Sequence, residues 1–320
     1  MSEKNDAKRR FDIQVIFRFA PVIGFVLLVV FFAVMSKGKS VSTANLKILF
    51  NQVVFTALIS IGGIFAFSAG AMDMSMSGSV CCAAVAAAII GNAANSTVVM
   101  VLSCIVISLL IGLLKAVLTI RMNVPPFMIT IVLGMALSSL GNVLLGNQSN
   151  LSVSSLVGGG QNTALYVILL AGFYIIAAII FNFGVFGKEA KIVGGNPRAA
   201  EQTGISSAKV KLYAFLLGAV GIALTSLVIL LRSKSVNAST ATTLGMDMMV
   251  AIVLGGMPLS GGAKSKISAA LIGAAIITVL NNGLMVINVD SGSIQLVRGI
   301  LFLIVVYITG FSYRTNLLPR

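Results

Sequence analysis

Along the 320 residues, long apolar runs alternate with short polar or glycine-rich breaks. About 20 consecutive apolar residues carry an α-helix across the hydrocarbon core of a bilayer. Runs of that kind occupy residues 19–35, 51–67, 98–120, 127–145, 164–183, 212–231, 267–287 and 295–313. Two weaker ones fall near 79–92 ("VCCAAVAAAIIG") and 245–257 ("GMDMMVAIVLGGM"). The pattern predicts an all-α polytopic membrane protein of about ten transmembrane helices, folded as one transmembrane domain over residues 1–320. Both weak spans adjoin irregular Gly/Ser/Pro-rich sequence, "AGAMDMSMSGS" before the first and "LGGMPLSGGAKS" after the second. Non-helical backbone at membrane depth survives only where protein or water satisfies its polar groups. Paired interruptions in two halves point to a transport pathway at a repeat interface.

The halves align in two ways. By span order, Asp73 and Asp247 each precede the short second span of their half, which gives an inverted repeat of broken helices. By residue identity, "GAMDMS" (70–75) resembles "GGMPLS" (255–260), which pairs different spans. The span-order alignment is the preferred expectation.

Composition agrees with lipid as the main solvent. Charged residues make up 9% of the chain and hydrophobic ones 58%, where soluble domains carry about 25% charged residues. The net charge of +14 invites a nucleic-acid reading, but the Lys and Arg form short clusters between apolar runs and no basic stripe interleaves with exposed aromatics. With ten spans, residues 1–18 form a cytoplasmic tail and both termini lie inside; fourteen Lys and Arg then fall in inside segments and five outside. That asymmetry is the one expected of cytoplasmic loops. The mixed charges of the first 19 residues and the lack of a small-residue cleavage site after "FFAVM" argue against a removed signal peptide. The chain has no histidine, and its three cysteines (Cys81, Cys82, Cys104) sit inside apolar runs without zinc-type spacing. No metal site is expected.

Only eight acidic residues occur, and two of them lie between methionines: Met72-Asp73-Met74 and Met246-Asp247-Met248. An ionisable group at membrane depth costs roughly 2.5–3.5 kcal/mol on insertion scales. Three readings stay open for Asp73 and Asp247: lining a translocation path, capping the short helix that follows, or coupling transport to an ion. Asn281 and Asn282 can meet a polyol or hydrogen-bond neighbouring helices, and Arg298 can pair internally or reach an interface. The most hydrophilic internal segment is the loop 187–211. Within it Asn196 has the place of an N-cap, Pro197 of the first helical turn, Glu201 of the body and Gly204 of the stop. A capped two-turn unit on the cytoplasmic face suits docking to a partner. "AVMSKGKS" and "GMPLSGGAKS" each approximate a phosphate-binding loop but lack its first glycine or its lysine. The chain is expected to bind no ATP and to catalyse no covalent chemistry.

Three motifs carry a family resemblance. "GMDMMVAIVLGGMPLSGGAKSKISAALIGAAIITVLNNGLMVINV", "VGGNPRAAEQTGISSAKVK" and "SAGAMDMSMSGS" together resemble the signatures of ABC importer membrane permeases of the ribose and simple-sugar type. The resemblance runs from about residue 45 to 310, with all three motifs in family order. It departs at Gly245, where the family carries Glu, at Ser265 in place of Gly, and at Pro258. The resemblance implies a ten-span permease of the bacterial inner membrane. Its implied partners are a cytoplasmic ABC ATPase that holds ATP and Mg, an external solute-binding protein, and a second permease copy or paralogue. By motif match, Gly195, Asn196, Ala199, Ala200, Gly204 and Ile205 belong to the helix that couples to the ATPase; Pro197 and Glu201 lie within it. Asp73, Asp247, Asn281 and Asn282 stand at the family's polar positions, with a monosaccharide as the implied solute and a nucleoside or ion-coupled transport as alternatives.

Overall fold

The computed structural model describes residues 21–122, 124–158, 163–258 and 260–314. The predicted tail, residues 1–18, lies outside them. The described chain is almost wholly helical. Its elements are α1 (Pro21–Met35), a 3-10 turn (Lys39–Val41), α2 (Thr43–Ser68), α3 (Met76–Ala94), α4 (Thr97–Arg121), α5 (Pro126–Leu145), β1 (Leu151–Ser152), α6 (Thr163–Asn182), α7 (Val185–Gly195), α8 (Pro197–Gln202), α9 (Ser207–Ser233), β2 (Ser235–Val236), α10 (Leu244–Leu254), α11 (Ser268–Val286) and α12 (Ser291–Arg314).

Local sequence sets many of the boundaries. Serine hydroxyls accept the N–H three residues on at the starts of α2 (Ser42), α4 (Ser96) and α9 (Ser206), each satisfying one donor that a helix start leaves free. Helix α3 ends at Asn95 in the left-handed region, φ 46°, a conformation that Asn tolerates. Each of the ten expected spans coincides with an apolar helix. Seven of the described helices are long and apolar enough to cross a bilayer, α2 to α6, α9 and α11. The weak span at 79–92 is part of a full 19-residue helix, α3. The one at 245–257 is an 11-residue helix, α10.

Helices α2 and α9 form the centre, each buried over most of its length. They cross where Gly62 meets Gly221: a Cβ on Gly62 would stand 2.9 Å from Gly221 Cα, and one on Gly221 2.8 Å from Gly62 Cα. Lipid gives helices no hydrophobic reason to associate, so close backbone approach through small residues supplies the packing. Around this crossing the contacts repeat. Helix α4 packs on α9 as α11 packs on α2, α3 on α9 as α10 on α2, and α3 on α4 as α10 on α11. The relation follows span order. The described residues of the matched stretches, 70–75 on one side and 255–258 with 260 on the other, lie in irregular linkers at one end of the bundle, one leading into α3 and the other leaving α10. Their likeness reflects a shared need for tight backbone.

Successive helices reverse direction, so the bundle has two ends. One carries the linkers 69–75 and 255–267 together with α7 and α8, and is called the α8 end. The other carries the antiparallel pair of Leu151 with Val236 and Ser152 with Ser235, and is called the strand end. Outward faces are apolar, as at Val132, Met135, Val143, Ile168 and Phe183, which suits hydrocarbon. The segment 187–211 contains a helix that its polarity concealed. In α7, Gly187, Ala190 and Val193 turn inward while the charged Lys188 lies on the other side of the turn, an amphipathic helix lying against the bundle.

Candidate functional site

Asp73 lies in the linker before α3, only 2% exposed. Its Oδ1 accepts the Ser75 N–H at 2.8 Å and the Ser75 hydroxyl at 2.6 Å, so the carboxylate fixes the turn that starts α3. Its Oδ2 lies 3.0 Å from Nζ of Lys115 on α4, itself 1% exposed. The same linker is held to α5: Thr130 Oγ1 accepts the Met74 N–H at 3.1 Å and lies 3.2 Å from the Met72 carbonyl. A buried carboxylate with a buried ammonium avoids the cost of an isolated charge, and the serine contacts use the remaining lone pairs.

The strand end carries a second pair. Asp247 sits inside the first turn of α10, its N–H bonded to the Thr243 carbonyl, so it does not precede the helix as span order suggested. Its Oδ1 takes Arg298 Nη1 of α12 at 3.0 Å and Asn281 Nδ2 of α11 at 3.3 Å. Arg298 Nε donates to Asn281 Oδ1, which closes a three-helix ring. Next to Asn281, Asn282 exchanges amide hydrogen bonds with Asn45 of α2, at 2.7 and 3.1 Å. Asn45 also donates to the Ser40 carbonyl at 2.7 Å. Asn282 lines a cavity of 230 Å³ that is otherwise mostly apolar, bounded by Phe25, Phe32, Val279 and Gly283.

The four polar residues singled out from sequence thus divide between the two ends. Asp73 stands alone at the α8 end, and Asp247, Asn281 and Asn282 gather at the strand end. Lys115, Asn45, Ser75 and Thr130 complete these networks and were not singled out. Lys115 had a readable signal, since a lysine in the middle of an apolar run needs an acidic partner and the chain has only eight acids. For Arg298, internal pairing is the arrangement found.

Helix α8 has the predicted caps. Asn196 Oδ1 accepts the Ala199 N–H at 3.1 Å and Pro197 opens the helix. At the other end Gly204, φ 84°, lets its own N–H reach the Glu201 carbonyl and that of Ile205 reach Ala200, the paired bonds of a Schellman stop. Ala200 is fully buried, whereas Asn196, Pro197, Arg198, Ala199, Glu201 and Gln202 are exposed. A short helix fixed at both ends and anchored through one face leaves the rest free to enter a partner's groove.

The sequence has relatives among known proteins. Residues 45–306 match the family described as "Branched-chain amino acid transport system / permease component". The chain belongs to this permease family. It is a non-catalytic, multi-pass membrane subunit of the ABC transporter class. It is 27% identical over 300 residues to the ribose import permease protein RbsC of Bacillus subtilis (strain 168), covering 90% of this chain and 91% of that protein. It is 25% identical to the xylose transport system permease protein XylH of Haemophilus influenzae, covering 90% and 94%. It is 33% identical over 190 residues to the probable ABC transporter permease protein YphD of Escherichia coli (strain K12), a match that spans 58% of this chain and 57% of that protein. No solved structure matches the chain.

Proposed function

We propose that the chain is the translocating subunit of an ATP-binding-cassette importer that carries a monosaccharide across the bacterial inner membrane, with a pentose such as ribose as the first candidate. The observation that carries this reading is the near full-length similarity to permeases named for ribose and xylose. The exposed, doubly capped α8 supports it by supplying the rigid knob such a subunit needs. In this reading all ten apolar helices cross the membrane, both termini and the α8 end face the cytoplasm, and the strand end faces the solute-binding protein. A second permease, identical or paralogous, completes the pathway, with Asp73 flanking it at the inner end and Asp247, Asn281 and Asn282 at the outer end. The loop 187–211, through Gly195, Asn196, Pro197, Ala199, Ala200, Glu201, Gly204 and Ile205, engages an ATPase that binds ATP and Mg. The permease contributes conformational change alone, and the internal cations beside both aspartates fit that role better than proton carriage.

Uptake into proteoliposomes tests the proposal, with the permease, its cognate ATPase and its binding protein and labelled D-ribose, D-xylose or L-arabinose. Accumulation of one of these pentoses that requires MgATP and all three components is expected. Accumulation driven by an ion gradient without the ATPase overturns it, and failure with all three sugars overturns the pentose assignment. Changing both Asn196 and Glu201 to alanine is expected to leave ATP hydrolysis running while uptake stops.

A further inference from the structure

At the α8 end three backbone segments meet with no side chain between them. They are the end of α2 at Ser68, the end of α7 at Gly194 and Gly195, and the linker after α10 at Gly261 and Gly262. The Gly262 N–H donates to the Ser68 carbonyl at 3.0 Å. A Cβ on Gly194 would overlap that same carbonyl oxygen and lie 2.8 Å from Gly262 N. One on Gly262 would lie 3.1 Å from both N and Cα of Gly195. Gly70, in the linker before α3, packs over Gly194, its Cβ position 3.5 Å from Gly194 Cα. Gly70, Gly261 and Gly262 all have positive φ, at 70°, 69° and 85°, which L-residues with side chains adopt only under strain. By contrast a Cβ on Gly195 would meet nothing within 4 Å.

This arrangement joins α8 to both halves of the repeat. Helix α8 follows α7 across Asn196 alone, so a displacement of α8 moves the end of α7. From there, direct backbone contact reaches the linker 69–75, which carries Asp73 to Lys115 on α4 and Met74 to Thr130 on α5. It also reaches the linker 255–267, which enters α11. Flexible side chains at such a joint would absorb small shifts; backbone against backbone passes them on. We propose that the contact of Gly194 with Ser68 and Gly262 is the joint through which the nucleotide state of the ATPase is read by both broken segments, with Gly194 as the positioning residue. The inference rests on the importer reading above.

The test uses the assembled permease–ATPase complex in lipid nanodiscs and needs no solute. The three native cysteines are buried, so a cysteine introduced by Met72→Cys reports on the linker through its modification rate with a charged methanethiosulfonate, with and without ADP·vanadate. In the parent protein the rate is expected to change roughly fivefold or more on trapping. Gly194→Ala is expected to keep the complex assembled and hydrolysing ATP while bringing that change to within about twofold of none. Gly172→Ala, in α6 where an added Cβ meets nothing within 4 Å, is expected to behave like the parent. If Gly194→Ala does not assemble, the same reading is taken from Gly262→Asn, since asparagine tolerates the positive φ of that position and its Cβ meets Gly195 at 3.1 Å. A full trapping response in the assembled variant, or loss of it in Gly172→Ala, overturns the joint. A parent protein that binds no ATPase overturns the importer reading itself.

Discussion

Asp73 lies on non-helical backbone and meets a lysine, while Asp247 lies on a helix and meets an arginine. The first pair is closed off, with exposures of 1% and 2%; the second is less so, at 13% for Arg298 and 7% for Asp247. Lysine offers a compact point charge, and the other oxygen of Asp73 is taken by Ser75, so the pair pins one linker to one helix. Arginine presents a rigid fork, and its two contacts, to Asp247 and Asn281, tie α10, α11 and α12 together. The same need, a buried carboxylate made acceptable to a membrane interior, is met at one end by sealing and at the other by sharing. The sealed pair holds an irregular segment that has no helical bonds of its own, so it has fewer alternatives when broken.

The largest effect is therefore expected at Lys115. Lys115→Met leaves Asp73 buried without its cation, at a cost of about 3–5 kcal/mol, and thermal unfolding in detergent is expected to show a marked loss of stability. Adding Asp73→Asn, which keeps an acceptor for Ser75, is expected to restore most of it, because a well-packed neutral pair avoids the desolvation cost. A stable Lys115→Met single variant would show that the pair does not hold the linker.

At the strand end, Arg298→Lys keeps the charge and gives up simultaneous contact with Asp247 and Asn281. The expected loss is about 1–2 kcal/mol, less than for Lys115→Met. An equal or larger loss would erase the distinction between the ends. The neighbouring Asn45–Asn282 exchange is weaker still. A double-mutant cycle with alanine at both positions is expected to return a coupling near 0.6 kcal/mol, the ordinary value for a polar contact between membrane helices.

The smallest effect concerns the exposed start of α12, beyond the membrane-facing network. The Ser293 hydroxyl and N–H both donate to the Asp290 carboxylate, at 2.7 and 2.9 Å. These bonds, the hydroxyl first, hold its pKa below the usual carboxylate value. A carboxylate depressed in the folded state contributes stability that is present above its unfolded pKa, near about 4, and is lost as the pH falls through the folded value. The protection factor of the Ser293 amide, taken against its intrinsic exchange rate at each pH, is expected to fall over that acidic range, and Asp290→Asn is expected to remove that pH dependence.

Much of this was legible in the chain. The apolar runs gave every long helix because a helix in lipid must carry its own hydrophobic length. The caps of α8 were readable because Asn196, Pro197 and Gly204 act on their immediate neighbours. Helix α7 was hidden, since Lys188, Glu189 and Lys191 make its stretch look like a loop unless the inward spacing of Gly187, Ala190 and Val193 is weighed. Asn45 gave no signal at all: an asparagine at a helix start looks like any surface residue until α11 brings Asn282 against it.

By itself, the sequence determined the solvent, the class and where the long apolar helices lie, and it marked two aspartates as costly to bury. Those properties depend on composition and on spacing within one helix. Which cation answers each aspartate was decided only by the tertiary structure. So was the packing of the halves by span order, and the meeting of Ser68, Gly194 and Gly262 backbone to backbone. Such contacts join residues as far apart as Asn45 and Asn282, and the close approach of separate helices, which no local pattern encodes, creates them.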